Sequence, residues 1–248
     1  MTRADELLAE LKLAESRSKA RALIEEGKVK ADGVRIDKAA RKIPRDAKIE
    51  IDADAASTRY VSRAGLKIEE YISVFKIDPA GADIIDIGAS TGGFTDCLLQ
   101  HGAASAVCVD VGSNQLHAKL LADARVKNLE QTDARDLTTE ILDGKTFDIL
   151  AADLSFISLE KVLPDVWPFL KRGGIAILLV KPQFETHPSL LRRTKGILKD
   201  EKLQQAAVEK IKLFTKENMP DALLEGEIKS PIKGGDGNIE FLIGLRKL

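Results

Sequence analysis

The sequence holds only two cysteines, one tryptophan, two tyrosines and two methionines among 248 residues, and aromatics amount to 4%. Cys97 and Cys108 stand apart, outside any metal-ligand spacing and too few for a disulfide framework. No metal is therefore expected, and a reducing compartment is. No apolar run approaches a membrane span: Ile175–Val180 is far short of the roughly 20 residues a spanning helix needs. The opening stretch Met1-Thr2-Arg3-Ala4-Asp5-Glu6 is charged and lacks the apolar core of a signal peptide. A cytoplasmic protein with no membrane partner is the expectation, with a monomer favoured. There is no internal repeat and no low-complexity tract.

Charge of either sign is not in excess: 38 Lys and Arg face 39 Asp and Glu, a net of −1. Its distribution is uneven. Residues 1–50 carry thirteen basic and ten acidic side chains, the remainder twenty-five and twenty-nine. A slightly basic head on a slightly acidic body is compatible with a head that touches nucleic acid. With 44% apolar and 31% charged residues the composition is that of a globular protein, long enough for a large α/β domain and a small companion.

The head reads as helix, helix, hairpin. Leu7, Leu8 and Leu11 share one side of a helix over Arg3–Leu11, and a second helix runs from Ser16 to a stop at Gly27 with Ala20, Leu23 and Ile24 inward. Asp32-Gly33 joins two short strands, Lys28–Ala31 and Val34–Ile36, and Lys48–Ile51 alternates as a third. Arg17, Arg21 and Lys28 lie away from Leu23 and Ile24, and Arg3, Lys19, Lys30 and Arg35 extend that patch. Such side chains suit phosphate contacts, which position RNA without reading its sequence. Taken alone, a solvated charged face is the simpler account. Residues 53–59 have no burying pattern and read as a linker.

Beyond the linker, strands alternate with helices. Strands are expected over Asp83–Ile87, Ala106–Asp110, Val126–Glu130, Phe147–Asp153 and Ile175–Val180, with helices around 93–102, 115–122, 136–142 and 158–171. This order implies a parallel sheet covered on both faces. Glu225–Lys229 and Asn238–Lys247, joined through Gly234–Gly237, read as an antiparallel edge.

The strand Asp83–Ile87 runs into Gly88-Ala89-Ser90-Thr91-Gly92-Gly93-Phe94-Thr95, a glycine-rich turn that opens a helix. Dinucleotide cofactors favour Gly-x-Gly-x-x-Gly, where a pyrophosphate sits on the helix N-terminus. Here Ser90 stands at the second glycine position and the acid Asp86 precedes the turn. A carboxylate does little for an anion but much for a cofactor bearing an amino group and a sulfonium, so S-adenosylmethionine is favoured over NAD. Asp110, Asp133 and Asp153 close the next three strands in turn, placed for ribose hydroxyls, for an adenine amino group and for the site itself. Any one of these acids reads equally well as a helix cap; four at successive strand ends are harder to dismiss.

Lys181 follows Ile175–Val180 directly, one strand end from Asp153, so the two can pair beside the cofactor. Glu240 lies in the last strand among Ile239, Phe241 and Leu242, costly there unless it meets a cation or water. Lys67 lies on a helix packed through Ala64, Ile68, Ile72 and Phe75, and periodicity alone makes it a surface lysine. Methyl transfer to an alcohol needs a group that takes the hydroxyl proton, a task open to a lysine whose ammonium is destabilised.

Four stretches carry a family likeness: Tyr60-Val61-Ser62-Arg63-Ala64-Gly65-Leu66-Lys67, Asp86 through Asp96, Ala152-Asp153-Leu154-Ser155-Phe156-Ile157-Ser158 and Leu179-Val180-Lys181-Pro182-Gln183-Phe184-Glu185. On them the chain resembles the TlyA group of rRNA 2′-O-methyltransferases, which also goes under the name hemolysin A, within the FtsJ-like superfamily. The resemblance implies a Rossmann-like α/β methyltransferase over residues 60–248, preceded by a small α+β RNA-binding domain of the alpha-L type over residues 1–52. It implies S-adenosylmethionine as cofactor, held by Asp86, Gly88, Ala89, Ser90, Thr91, Gly92, Gly93, Phe94, Asp110, Asp133 and Asp153. It also implies a catalytic set Lys67, Asp153, Lys181 and Glu240, and a ribose of ribosomal RNA or of ribosomal subunits, commonly cytidine, as acceptor. Gly65-Leu66 departs from the Ala-His that many members have at that step. Competing readings are a dinucleotide-dependent oxidoreductase, a hemolysin-like protein, and an RNA-binding protein without catalysis. Ser90 and the Lys–Asp pair speak against the first. Nothing of membrane length supports the second, and the four-residue set argues against the third.

Overall fold

The computed structural model describes residues 1–14, 16–25, 27–51, 59–191, 196–234 and 236–248. They form two compact units, Met1–Leu66 and Lys67–Leu248. Residues 53–58 of the expected linker and Gly235 of the expected turn lie outside the described residues.

In the first unit β1 (Thr2–Arg3) leads into α1 (Ala4–Glu10), and α2 (Arg17–Glu25) packs on α1 through Leu7, Leu8, Ala20, Leu23 and Ile24, all buried. β2 (Val29–Ala31) and β3 (Val34–Arg35) make the hairpin, where Asp32 and Gly33 both take positive φ, 51° and 75°, as a tight turn requires. β4 (Lys42–Ile43) pairs with β1, and β5 (Ile49–Ile51) pairs with the other side of β2. Residues 59–66 belong to this unit: the Lys19 Nζ donates to the Tyr60 carbonyl, and Arg63 Nη1 lies 3.5 Å from Glu25 Oε2. The Tyr60 ring covers Gly65 so closely that a Cβ there would lie 2.5 Å from it.

The second unit begins at Lys67 within α3 (Gly65–Val74) and continues with β6 (Asp83–Ile87), α4 (Gly93–Gln100), β7 (Ser105–Val109), α5 (Ala118–Leu121) and β8 (Val126–Leu129). Then come β9 (Phe147–Ala152), α6 (Leu163–Val166), β10 (Leu170–Val180), α7 (Pro182–Glu185), α8 (Glu201–Asn218), β11 (Ala222–Lys229) and β12 (Phe241–Lys247). The sheet order is β11-β12-β10-β9-β6-β7-β8. The five strands from β10 to β8 are parallel, while β12 runs antiparallel to both β10 and β11. This is the Rossmann-like α/β architecture with an antiparallel C-terminal edge. The chain turns back between β6 and β9, so a crevice opens at their carboxyl ends.

Alternation along the strands sets the two layers. Ile243 and Leu245 of β12 join the core that holds Val208 and Ile211 of α8, whereas Gly244 between them faces Tyr71 of α3. In β6, Ile85 and Ile87 face the first layer; Asp86 reaches Thr95 of α4 on the other.

Two expected elements differ, and one helix was not expected. Around 136–142 there is a 3-10 turn at Ala134–Asp136 and then a single α-type turn closed by Leu142 N to Thr138 O. Asp143 and Gly144 stop it, both at positive φ. The stretch 158–171 is broken into two 3-10 turns flanking α6, because Pro164 and Pro168 lack the N–H a continuous helix needs. The longest helix, α8, occupies a region to which the pattern above assigns nothing. Its cap, Asp200, accepts from Lys202 N and Leu203 N, but its buried face is a narrow stripe of Gln204, Ala207, Val208, Ile211 and Thr215 amid charge.

Candidate functional site

β6 ends at Gly88, whose φ of 77° suits glycine, and a Cβ there would sit 2.7 Å from the Asp153 carbonyl oxygen. The ends of β6 and β9 therefore abut without a side chain between them. Around this junction opens a cavity of about 380 Å³. Gly88 and Ser90 form one side and Asp110 and Asp133 another, with Asp153 through Ile157 opposite and an apolar lining that includes Val109, Val111 and Val162. Three carboxylates line it, and no lysine or arginine is among the described lining residues.

Asp110 is fixed by two backbone donors, Ser90 N to Oδ2 and Gly112 N to Oδ1, each at 2.8 Å. A carboxylate has lone pairs to spare beyond these. Asp133 accepts from Arg135, whose guanidinium holds its carboxyl down at about 2. Asp86 lies off the cavity, buried beneath the turn, where its Oδ2 accepts from Thr95 Oγ1 at 2.7 Å and Thr95 N at 3.1 Å. Burial pushes its carboxyl up to about 7, against the pull of the Thr95 hydroxyl.

Beside the cavity four charged side chains meet. Lys181, just past β10, places Nζ 2.6 Å from Asp153 Oδ1 and donates to Ser155 Oγ at 2.8 Å. Lys67, on α3, places Nζ 2.7 Å from Glu240 Oε2 and 3.7 Å from Asp153 Oδ2. The close contacts to Asp153 Oδ1 and Glu240 Oε2 are ion pairs by distance, without the angles of linear hydrogen bonds. Lys67, Lys181 and Glu240 are buried; two cations balance two anions, which is how such charges tolerate burial.

Residues 60–247 match the family model FtsJ-like methyltransferase, and residues 2–49 match the S4 domain. Among relatives, the 16S/23S rRNA (cytidine-2′-O)-methyltransferase TlyA of Mycobacterium tuberculosis is 38% identical over 98% of this chain and 89% of its own length. Hemolysin A of Brachyspira hyodysenteriae is 38% identical over 97% of this chain and 98% of its own. A solved structure from Streptococcus thermophilus that bears a hemolysin name superposes with a TM-score of 0.75 at 38% identity, covering 99% of this chain and 88% of the other. The chain belongs to the FtsJ-like methyltransferase family.

In this FtsJ-like methyltransferase the structure gathers Lys67, Asp153, Lys181 and Glu240 into one cluster, and brings Gly88, Ser90, Asp110, Asp133 and Asp153 to the cavity wall. Asp86, Ala89, Thr91, Gly92, Gly93 and Phe94 do not line the cavity. Gly92 and Gly93 start α4, Phe94 is buried in the core, and Thr91 offers its carbonyl to His117 N. Glu240 stands just before β12 rather than within it, its carbonyl still paired with Ser230 N. Lys67 points inward, against its reading as a surface residue, because Glu240 and Asp153 await it there.

Of the basic residues of the first unit, Arg3, Arg17 and Arg21 gather around Asp5, whereas Lys30 and Arg35 face each other across the β2–β3 pairing. Lys19 reaches the Tyr60 carbonyl, and Lys28 is half-buried.

Sequence reasoning passed over Ser155 and Phe156. Ser155 follows the strand-end Asp153 by two residues, a spacing that could have pointed to it. Phe156 is 90% exposed at a φ of 67°, its ring 5.2 Å from that of Phe184. Nor did it find Glu185, whose buried carboxylate accepts from Ser158 Oγ and from Leu159 N at 2.9 Å, joining the loop after β9 to α7.

Proposed function

We propose that this FtsJ-like methyltransferase transfers a methyl group from S-adenosylmethionine to the 2′-hydroxyl of a cytidine ribose in ribosomal RNA. Residues 1–52 hold the RNA, 53–59 connect, and 60–248 carry the chemistry. The observation that carries the reading is the Lys181 amine, 2.6 Å from Asp153 and in contact with Ser155, both of which line the acid-walled cavity. The names of the Mycobacterium tuberculosis and Campylobacter jejuni relatives, both (cytidine-2′-O)-methyltransferases TlyA of rRNA, support the acceptor.

The cavity residues fit this cofactor. The volume suits a nucleoside, the lining is apolar with a few polar groups, and its charges are all negative. Asp110 would take the ribose hydroxyls, Asp133 the adenine amino group, and the glycine junction at Gly88 leaves room for close approach. The cofactor supplies an electrophilic methyl group on a sulfonium. Asp153 and Ser155 orient the Lys181 amine, which in its neutral form takes the proton of the acceptor hydroxyl. Lys67, itself held by Glu240, steadies the far oxygen of Asp153. Positioning of hydroxyl and methyl donor accounts for much of the rate. With ribosomal RNA as acceptor, the enzyme works in the cytoplasm. Among the described residues no helix is long and apolar enough to cross a membrane.

Incubation with tritiated S-adenosylmethionine and ribosomal subunits, followed by mapping of the label, tests this. Ribose label that disappears in Lys181→Ala is expected, reduced by removal of residues 1–52; label on base atoms alone overturns the ribose assignment.

A further inference from the structure

In the first unit one carboxylate is buried and three arginines converge on it. Asp5, at the start of α1, has no exposed surface. Arg3 grips it as a fork, Nε to Oδ1 and Nη2 to Oδ2, both at 2.9 Å. Arg17 and Arg21, four residues apart on one face of α2, bring their Nη2 atoms to 3.4 and 3.5 Å from the same Oδ2. Asp5 also accepts the Glu6 backbone N–H at 3.0 Å, and Glu6 Oε1 lies 3.2 Å from Arg17 Nη2. The Arg3 fork holds the Asp5 carboxyl well below the usual carboxylate range, so it is charged throughout the working pH range.

One bidentate arginine is enough to compensate one carboxylate. Two further arginines add repulsion that Asp5 and Glu6 only partly offset, and the cluster keeps a net positive charge. The side chains remain 35%, 52% and 53% exposed for Arg3, Arg17 and Arg21. Each guanidinium has five N–H donors in a planar fork. Arg17 and Arg21 use one nitrogen each toward Asp5, which fixes the plane and leaves donors facing out. A group with two or more acceptor oxygens and a negative charge fits such a surface, and on an RNA the phosphodiester is that group.

We propose that Asp5 is a positioning residue for RNA binding: it locks Arg3, Arg17 and Arg21 into one cradle for the RNA phosphodiester backbone. The proposal rests on the reading of this unit as RNA-binding and deepens it, because it makes a negatively charged residue necessary for binding an anion. That sets its sign apart from simple attraction. If charge alone mattered, Asp5→Asn, which makes the unit more positive, would strengthen binding. If the carboxylate organises the cradle, the same change weakens it.

The test is binding of the full-length chain to a fluorescently labelled ribosomal RNA hairpin, by anisotropy over a range of salt concentrations, with circular dichroism as the check on folding. Asp5→Asn is expected to bind roughly tenfold more weakly, with a salt dependence shallower by about one phosphate contact. Arg17→Lys and Arg21→Lys keep the charge and lose the planar fork; each is expected to weaken binding several-fold, and these surface changes report even where Asp5→Asn does not fold. Binding by folded Asp5→Asn as tight as the unsubstituted chain, or tighter, overturns the cradle while leaving RNA binding intact. Unchanged binding by both lysine variants overturns it too. If the unsubstituted chain shows no salt-dependent binding, the cradle and the RNA-binding reading fall together.

Discussion

The Lys67 amine and the Glu240 carboxylate, far apart in sequence, form a buried pair at 2.7 Å. Lys67 enters from α3 and Glu240 from just before β12, so this pair ties the opening of the transferase unit to the approach to its last strand. Removing one partner leaves the other charge buried with incomplete compensation. Glu240→Leu is expected to destabilise the unit by about 3–5 kcal/mol, read by chemical denaturation. The double change Lys67→Met with Glu240→Leu is expected to recover most of that loss, because an apolar pair needs no compensation. It is not expected to recover methyl transfer. A double variant that regains both would show that the pair serves stability alone.

Gly88 offers a sharper test of the cavity. A Cβ at this position meets the backbone oxygen of Asp153 at 2.7 Å, and φ is 77°. A backbone atom cannot swing aside as a side-chain tip does. Gly88→Ala is expected to cost about 1–3 kcal/mol in stability and to weaken binding of S-adenosylmethionine by at least tenfold in calorimetry. Gly144→Ala, also at positive φ but with open space around the new Cβ, separates strain from steric loss. It is expected to lose less stability, from backbone strain alone, and to bind the cofactor unchanged. Equal loss of cofactor binding in both variants would argue against Gly88 as part of the cavity wall.

Much of this architecture is legible in the sequence for a physical reason. Asp83–Ile87 and Phe147–Ala152 are strands buried on both faces, so they read as short, mostly apolar runs whose ends are marked by Gly88 and Asp153. Lys181 is legible in the same way, as the first polar residue after Val180. α8 is hidden because its buried face is narrow and mixed with charge, and the 158–171 region misleads because an apolar period survives Pro164 and Pro168 while the helix does not. Within the site, Lys67 could not be placed by periodicity, since what turns it inward is Glu240, a residue distant in sequence that stands just before β12. Asp86 reads as a cofactor ligand; the contact the sequence does not show is that of its Oδ2 with Thr95, which depends on how α4 lies over β6.

Asp86 also gives stability a defined dependence on pH. Its carboxyl is pushed up to about 7, chiefly by burial, and its Oδ1 has no partner among the described residues. In the unfolded chain the group titrates near the ordinary value of about 3.9. Between these values the folded state keeps its proton and the unfolded state has lost it. Stability is therefore full below about pH 4 and falls as pH rises toward about 7, by on the order of 4 kcal/mol from this group alone. Asp86→Asn, a fixed neutral stand-in, is expected to lose this contribution. Denaturant melts from acid to neutral pH check it: the variant gains on the parent as pH rises, and parallel curves would show that Asp86 does not titrate in that window.

Glu185 is expected to affect turnover from a distance. It touches none of the four clustered charges. Its carboxylate accepts from Ser158 Oγ and Leu159 N, and so anchors the loop that carries Asp153, Ser155 and Phe156 to α7, which begins beside Lys181. Glu185→Ala leaves the buried Leu159 N–H without an acceptor, at a cost of about 1–3 kcal/mol, and frees Ser155 to drift from the Lys181 amine. A displacement of that kind can slow an in-line transfer by roughly a hundredfold. Glu185→Gln keeps an oxygen for Leu159 N and is expected to restore most of the stability and most of kcat. The Michaelis constant for ribosomal subunits is expected to stay near the parent's in both variants if the loop serves the chemistry and not the grip on RNA. Steady-state rates at saturating cofactor, with melting curves on the same samples, separate the outcomes. A fall in subunit affinity with kcat unchanged would move Glu185 from holding the loop beside the Lys181 amine to holding the RNA.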